Sequence, residues 1–170
     1  MKFKITESDI KSSKIPHEIF LTNLIVNHIL YFISALGLSK SFPQLVAMVP
    51  VISICTLSYI LIRGEKIQKS NNWFVSCHWK IAMIRSKILL TVILIVTTLL
   101  AILYFIHLYS GIAFAQIIPF AGIMILPLMI TILTLKVMES EDLIFSKTGQ
   151  LSNNIIKKSP PPSNFIILEN

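Results

Sequence analysis

Between Lys87 and Lys136 the chain runs for 48 residues without an Asp, Glu, Lys or Arg, and Ile, Leu, Val and Phe fill most of the stretch. One helical crossing of a hydrocarbon core takes roughly 20 apolar residues, so the stretch is long enough for two. Two further uncharged runs precede it, Ile19 to Ser39 and Ser41 to Ile62, divided only by Lys40. In lipid the backbone must satisfy its own polar groups, which favours helices for runs of this length. The expected fold is therefore all-α, an integral membrane four-helix bundle of two helical hairpins. Its spans fall at about residues 16–38, 44–62, 88–109 and 112–135. Residues 1–15 form an amino-terminal tail, 63–87 a loop with an interfacial helix, and 136–170 a carboxyl tail.

Composition excludes the main alternatives. With 54% hydrophobic and 14% charged residues, the chain has too little polar surface to cover its apolar volume in water. The net charge of +7 comes from basic residues that flank the apolar runs and form no patch interleaved with base-stacking aromatics. The partner they point to is anionic lipid headgroups, and no nucleic acid. Fourteen of the fifteen Lys and Arg lie in the amino tail, the 63–87 loop and the carboxyl tail, leaving only Lys40 on the other side. The positive-inside rule then places both termini in the cytoplasm, with anionic headgroups at that face. The first 18 residues mix four Lys with three acidic residues and precede a full-length apolar run, so the first span is expected to act as a signal anchor. Cys55 and Cys77 show no paired spacing and are read as free thiols. Abundant Ile, Lys, Asn and Ser suggest a bacterial chain, and hence the bacterial cytoplasmic (inner) membrane.

Within the spans, polarity concentrates in the first two. Pro16 suits the opening position of a helix, with Glu18 near its positive end. Asn23, Asn27, Tyr31 and Ser34 then recur on one helical face with His28 beside it. A tight turn near residues 38–42 would set His28 opposite Ser53, Asn23 opposite Ser58 and Thr56 near Asn27. Such a seam can be purely structural, each bond worth about 0.6 kcal/mol, or it can be a polar path or ligand site. The third span is nearly all Leu, Ile, Val and Thr, with His107 near its end. The fourth carries Gln116, Pro119 and Pro127, and Gly111 with Ala115 would permit close backbone approach at the turn.

The loop reads differently. Ser70-Asn71-Asn72 offers capping side chains before Trp73, and Trp73, Phe74, Cys77, Ile81 and Ile84 can share one face of a helix. Lys80, Arg85 and Lys87 can then reach headgroup phosphates, His78 sits at the interface, and Trp73 and Trp79 fit an aromatic belt. The run from Phe74 to Ala82, Phe-Val-Ser-Cys-His-Trp-Lys-Ile-Ala, resembles the Phe-Val-x-x-His-x-Lys-x-Ala signature of a family of small bacterial four-helix membrane proteins. Those proteins are distantly related to the chloroplast inner-envelope import component of about twenty kilodaltons. The resemblance covers roughly residues 42–136 and implies the same helix order. The family's acidic pair, Gly and Asn are replaced here by Ser76-Cys77, Trp79 and Ile84. It implies an architecture, and no activity.

No arrangement of acid, base and nucleophile is visible. The histidines are expected at different depths, and no carboxylate lies within a span to orient them, so no catalytic residue, metal or cofactor is assigned. The tail carries an acidic cluster (Glu139, Glu141, Asp142), then Lys157-Lys158, a triproline at 160–162 and an apolar tip at 165–168. A stiff spacer with an apolar end suits a protein partner. The expected function is that of a nonenzymatic multi-pass membrane protein, a subunit or accessory of a larger membrane assembly. The alternative is a small transporter or channel with a polar path between the first two helices.

Overall fold

The computed structural model describes residues 1–42, 44–69, 72–162 and 167–169. Helix α1 (Glu7–Thr22) starts well before Pro16, because Thr6 Oγ1 accepts the Asp9 N–H at 3.3 Å and Glu7 and Asp9 occupy the positive end of the dipole. Pro16 lies inside the helix, where its missing N–H forfeits one bond. Residues 1–15 are thus mostly helix, which corrects the expected tail. Without a break the chain passes into a π-helix (Asn23–Tyr31), in which the Phe32 N–H reaches the Asn27 carbonyl five residues back, and then into α2 (Phe32–Leu38).

The remaining helices also overrun their expected bounds. Helix α3 (Gln44–Gln68), α4 (Trp73–Ser110) and α5 (Phe114–Thr148) extend far beyond the apolar runs. The reason is local: α4 contains no Gly or Pro before Gly111, and α5 none between Pro127 and Gly149, so neither meets a helix breaker there. At 1.5 Å per residue, α4 is about 57 Å long, nearly twice a hydrocarbon core. The interfacial helix expected to lead into the third span is continuous with it, as the first part of α4. Asn72 caps it through Val75 N–H (3.2 Å), whereas Ser70 and Asn71 lie outside the described residues. Gly111 (φ 70°) and Gly149 (φ 74°) end α4 and α5 in the left-handed conformation that glycine adopts without strain.

Four helices among the described residues are long and apolar enough to cross a membrane. Neighbours α4 and α5 run antiparallel, and one end of the bundle carries nearly all the charge. There Phe20, Leu24, Leu57, Ile60, Ala82, Leu89, Ile93, Ile132 and Leu135 form one core drawn from α1, the π-helix, α3, α4 and α5. Gly64 lets α3 approach α4 so closely that an added Cβ would collide with Met83 Sδ. Beyond this core, a second cluster of Phe3, Phe74, Cys77, Ile81, Leu151 and Ile156 ties both termini to α4. A short antiparallel ribbon of β1 (Lys2–Phe3) and β2 (Ile167–Glu169) and the short helix α6 (Asn153–Lys158) complete it. Towards the uncharged end the helices lose contact. The buried share of each span's most apolar window falls from 33% in the first to 11% in the last.

Candidate functional site

Two polar sites are built into the bundle, and the more charged of them joins residues far apart in the chain. His17 on α1, His78 and Arg85 on α4, and Glu139 and Asp142 on α5 meet at the charged end. Glu139 is fully buried and accepts on both oxygens, from His17 Nδ1 (2.6 Å) and from an Arg85 amino group (2.5 Å). The other Arg85 amino group pairs with Asp142 Oδ2. On its far side His17 Nε2 lies 2.9 Å from His78 Nδ1, the two rings edge to face. The second ring edge of His78, Nε2, is buried without a hydrogen bond, although the Gln150 backbone nearby favours its charged form slightly.

Charge balance decides how this cluster behaves. Two carboxylates face one guanidinium, so a second positive charge or a proton is needed to leave no net charge in a site cut off from water. His17 spans the site, its Nδ1 on Glu139 and its Nε2 on His78 Nδ1. His78 lies in the charged segment before the long apolar run. There burial, reinforced by the neighbouring His17, pushes its ring down to about 3, so it stays neutral. For Asp142 burial raises the carboxyl above its usual range, against the pull of Arg85. Beside the cluster, burial pushes the Cys77 thiol up to about 11 despite Lys80, which makes it an inert core residue.

These positions correct several expectations. Arg85 reaches no headgroup phosphate; it is buried between two carboxylates because the α4–α5 turn sets Glu139 at its level. Trp79 (3% exposed), Phe74 and His78 are core residues, since the first part of α4 is covered by α1, α5 and the termini. Lys80 donates to Ser159 Oγ (2.9 Å) and Trp73 Nε1 to the Ser159 carbonyl (3.2 Å), so the tail before the triproline docks on α4. The acidic cluster supposed to lie in a tail is the last part of α5. The histidines are not all scattered, for His17 and His78 touch and a carboxylate orients one of them. The signal was present: folding the chain back about Ile112, the middle of the turn, places Arg85 opposite Glu139, and Asp142 follows one turn later.

The second site is the seam between the π-helix and α3. Asn23 Nδ2 donates to Ser53 Oγ (2.9 Å), and His28 Nε2 lies 2.9 Å from the same oxygen. Asn27 Nδ2 donates to the Val49 carbonyl (3.0 Å) and to Asn23 Oδ1 (3.2 Å). In an α-helix, residues five apart point about 140° away from each other. The five-residue bonding of the π-helix brings them nearly into line, which explains how Asn23 and His28 converge on one hydroxyl. Asn23 therefore meets Ser53, whereas Ser58 stands half-buried outside the seam. Thr56 Oγ1 bonds back to Ile52 O (2.9 Å) in its own helix. Asn27 and Thr56 nevertheless line one shallow cavity of about 330 Å³ with Glu18 and Thr22.

Among the described residues, no group of three or more His, Cys, Asp or Glu is arranged to hold a metal ion. None of the five cluster residues lines any of the three main cavities. The cluster can fasten three helices. No family model, curated protein or solved structure matches the chain.

Proposed function

We propose that the protein is a nonenzymatic multi-pass component of a bacterial cytoplasmic membrane, with both termini in the cytoplasm, serving as a subunit or accessory of a larger membrane assembly. The observation that carries this reading is how little of its last span the chain covers by itself: 11% of that window is buried. Phe120, Ile123, Leu126 and Ile130 form a long exposed face on α5, and Ile118 is exposed beside it. Helices associate in lipid through close packing, because hydrocarbon already satisfies apolar side chains. Gly122 on the same helix has open space where a Cβ would stand, so a neighbouring backbone can approach there. At the charged end, exposed Arg63, Lys66, Lys69, Lys87 and Lys136 are placed for anionic headgroups.

The polar cluster suits a fastening role, since its residues bond one another across three helices. Photocrosslinkers at Ile123 and Ile130, activated in native membranes, test the assembly. The expected product is one protein partner in fixed stoichiometry. Crosslinks to lipid alone, with a single-chain particle after gentle extraction, overturn it.

A second reading, a transporter or channel, draws on the cavity that runs from Glu18 past Thr22 and Asn23 to Asn27 and Thr56, where Asn27 Oδ1 is buried without a hydrogen bond. Solute flux in reconstituted vesicles that disappears in Asn27→Leu would favour it. Folded Asn27→Leu protein with no flux in either form leaves the seam as a fastening.

A further inference from the structure

Where the helices part, near the uncharged end, they enclose a cavity of about 690 Å³ between the π-helix, α3, α4 and α5. We infer that this cavity holds one acyl chain of a phospholipid from the leaflet at the uncharged end. The inference goes beyond the assembly proposed above and uses a different surface from the outer face of α5.

Position, chemistry and size all point to that occupant. The floor is Ile93 and Ile132, both part of the bundle core, and the far lining reaches Val46 and Tyr104 near the turns. From Ile93 to Tyr104 along α4 is about 16 Å at helical rise. Half of a 30 Å hydrocarbon core is about 15 Å, so the cavity is one leaflet deep. Its walls belong to the charge-free runs, and the polar groups on them are few: His28, whose Nε2 is engaged by Ser53, Thr97 and Tyr104. Such walls offer nothing to water or to a charged solute, while an apolar void left empty forfeits contacts on every side.

The volume admits that occupant. Taking a methylene as roughly the size of a water molecule's share of liquid, about 30 Å³, a chain of some 16 carbons needs about 480 Å³, which a cavity of about 690 Å³ accommodates. Tyr104, at the mouth, lies where the ester linkage of such a lipid would emerge towards the polar boundary, a level that tyrosine favours.

The test is photolabelling of the full chain in nanodiscs of phosphatidylcholine, a fraction of which carries a diazirine at the end of one acyl chain. Label is expected on the floor, at Ile93, Val96, Leu128 and Ile132, as well as on the lipid-facing Ile95 and Ile123. Val96→Phe, which narrows the cavity next to its floor, should lower floor labelling about tenfold, the factor that corresponds to about 1.4 kcal/mol, and leave Ile95 and Ile123 unchanged. Wild-type protein released from detergent should in addition retain one phospholipid per chain by native mass spectrometry. An unlabelled floor in the wild type overturns the inference. So does floor labelling that Val96→Phe leaves intact. Should Val96→Phe not fold, Leu128→Phe narrows the opposite wall and is read by the same two criteria.

Discussion

The two ends of this bundle are held by opposite means. At the charged end three helices share a largely buried ion-paired cluster, a continuous apolar core and a cap made from both termini. At the other end the same helices separate around a cavity, and residues such as Tyr104, Phe105 and Tyr109 (85% exposed) face outward. The contrast follows from the surroundings each end meets. Outside the hydrocarbon layer, water drives apolar side chains together and charged groups can be recruited as clasps. Within it, apolar side chains gain nothing by leaving lipid, and only shape and a few hydrogen bonds draw helices together.

The largest effect should come from breaking the clasp. Glu139→Gln strips the buried charge that Arg85 and His17 share and is expected to cost about 3–5 kcal/mol, read as reversible unfolding in bicelles. Replacing Arg85, Glu139 and Asp142 together with Met, Leu and Leu should recover most of that loss, since no charge is then stranded. A triple variant as unstable as the single one would mean that the cluster does more than neutralise itself.

Acid should act on the same end. Burial holds His78 near 3 in the folded chain against about 6.5 when unfolded, so the unfolded state alone binds its proton in that interval. Stability should be insensitive to His78 above pH 6.5 and fall by about 1 kcal/mol per pH unit as pH drops below it. Asp142, raised by burial, opposes this only close above its ordinary range. Thermal melts of wild type and His78→Gln at pH 7.5 and 5.5 measure the term; equal acid sensitivity in the two would remove His78 from it.

The seam should matter less. Ser53→Ala takes away the hydroxyl shared by Asn23 and His28 and is expected to cost about 1 kcal/mol, two bonds at the modest value typical within membranes. A loss comparable to that from Glu139→Gln would erase the difference between the two ends. Smallest of all, Ile123→Ala on the exposed face of α5 should change the stability of the isolated chain by less than about 0.5 kcal/mol. In native membranes the same substitution should weaken the crosslinked complex, which sharpens the contrast into a test of where a partner sits.

Much of this organisation is legible in the residues themselves. The apolar runs mark the four long helices, and the pairing of His28 with Ser53 follows from folding the first two spans about a short turn. The partner of Asn23 does not, because a π-helix shifts register and no residue pattern here announces one. Likewise, Lys80, Arg85 and His78 look like a solvated basic face until α1, α5 and the termini are laid over it. His17 shows no special spacing at all, and its role exists only once α1 lies against both α4 and α5.

What the amino-acid order determined alone was the number and character of the long helices, because a long uncharged apolar run acts within its own segment. Tertiary structure decided which charged residues are buried, which polar groups share a hydrogen bond and where the helices part. Those outcomes depend on neighbours brought together from as far apart as His17 and Glu139, and a side chain's electrostatic surroundings are not a local property of the chain.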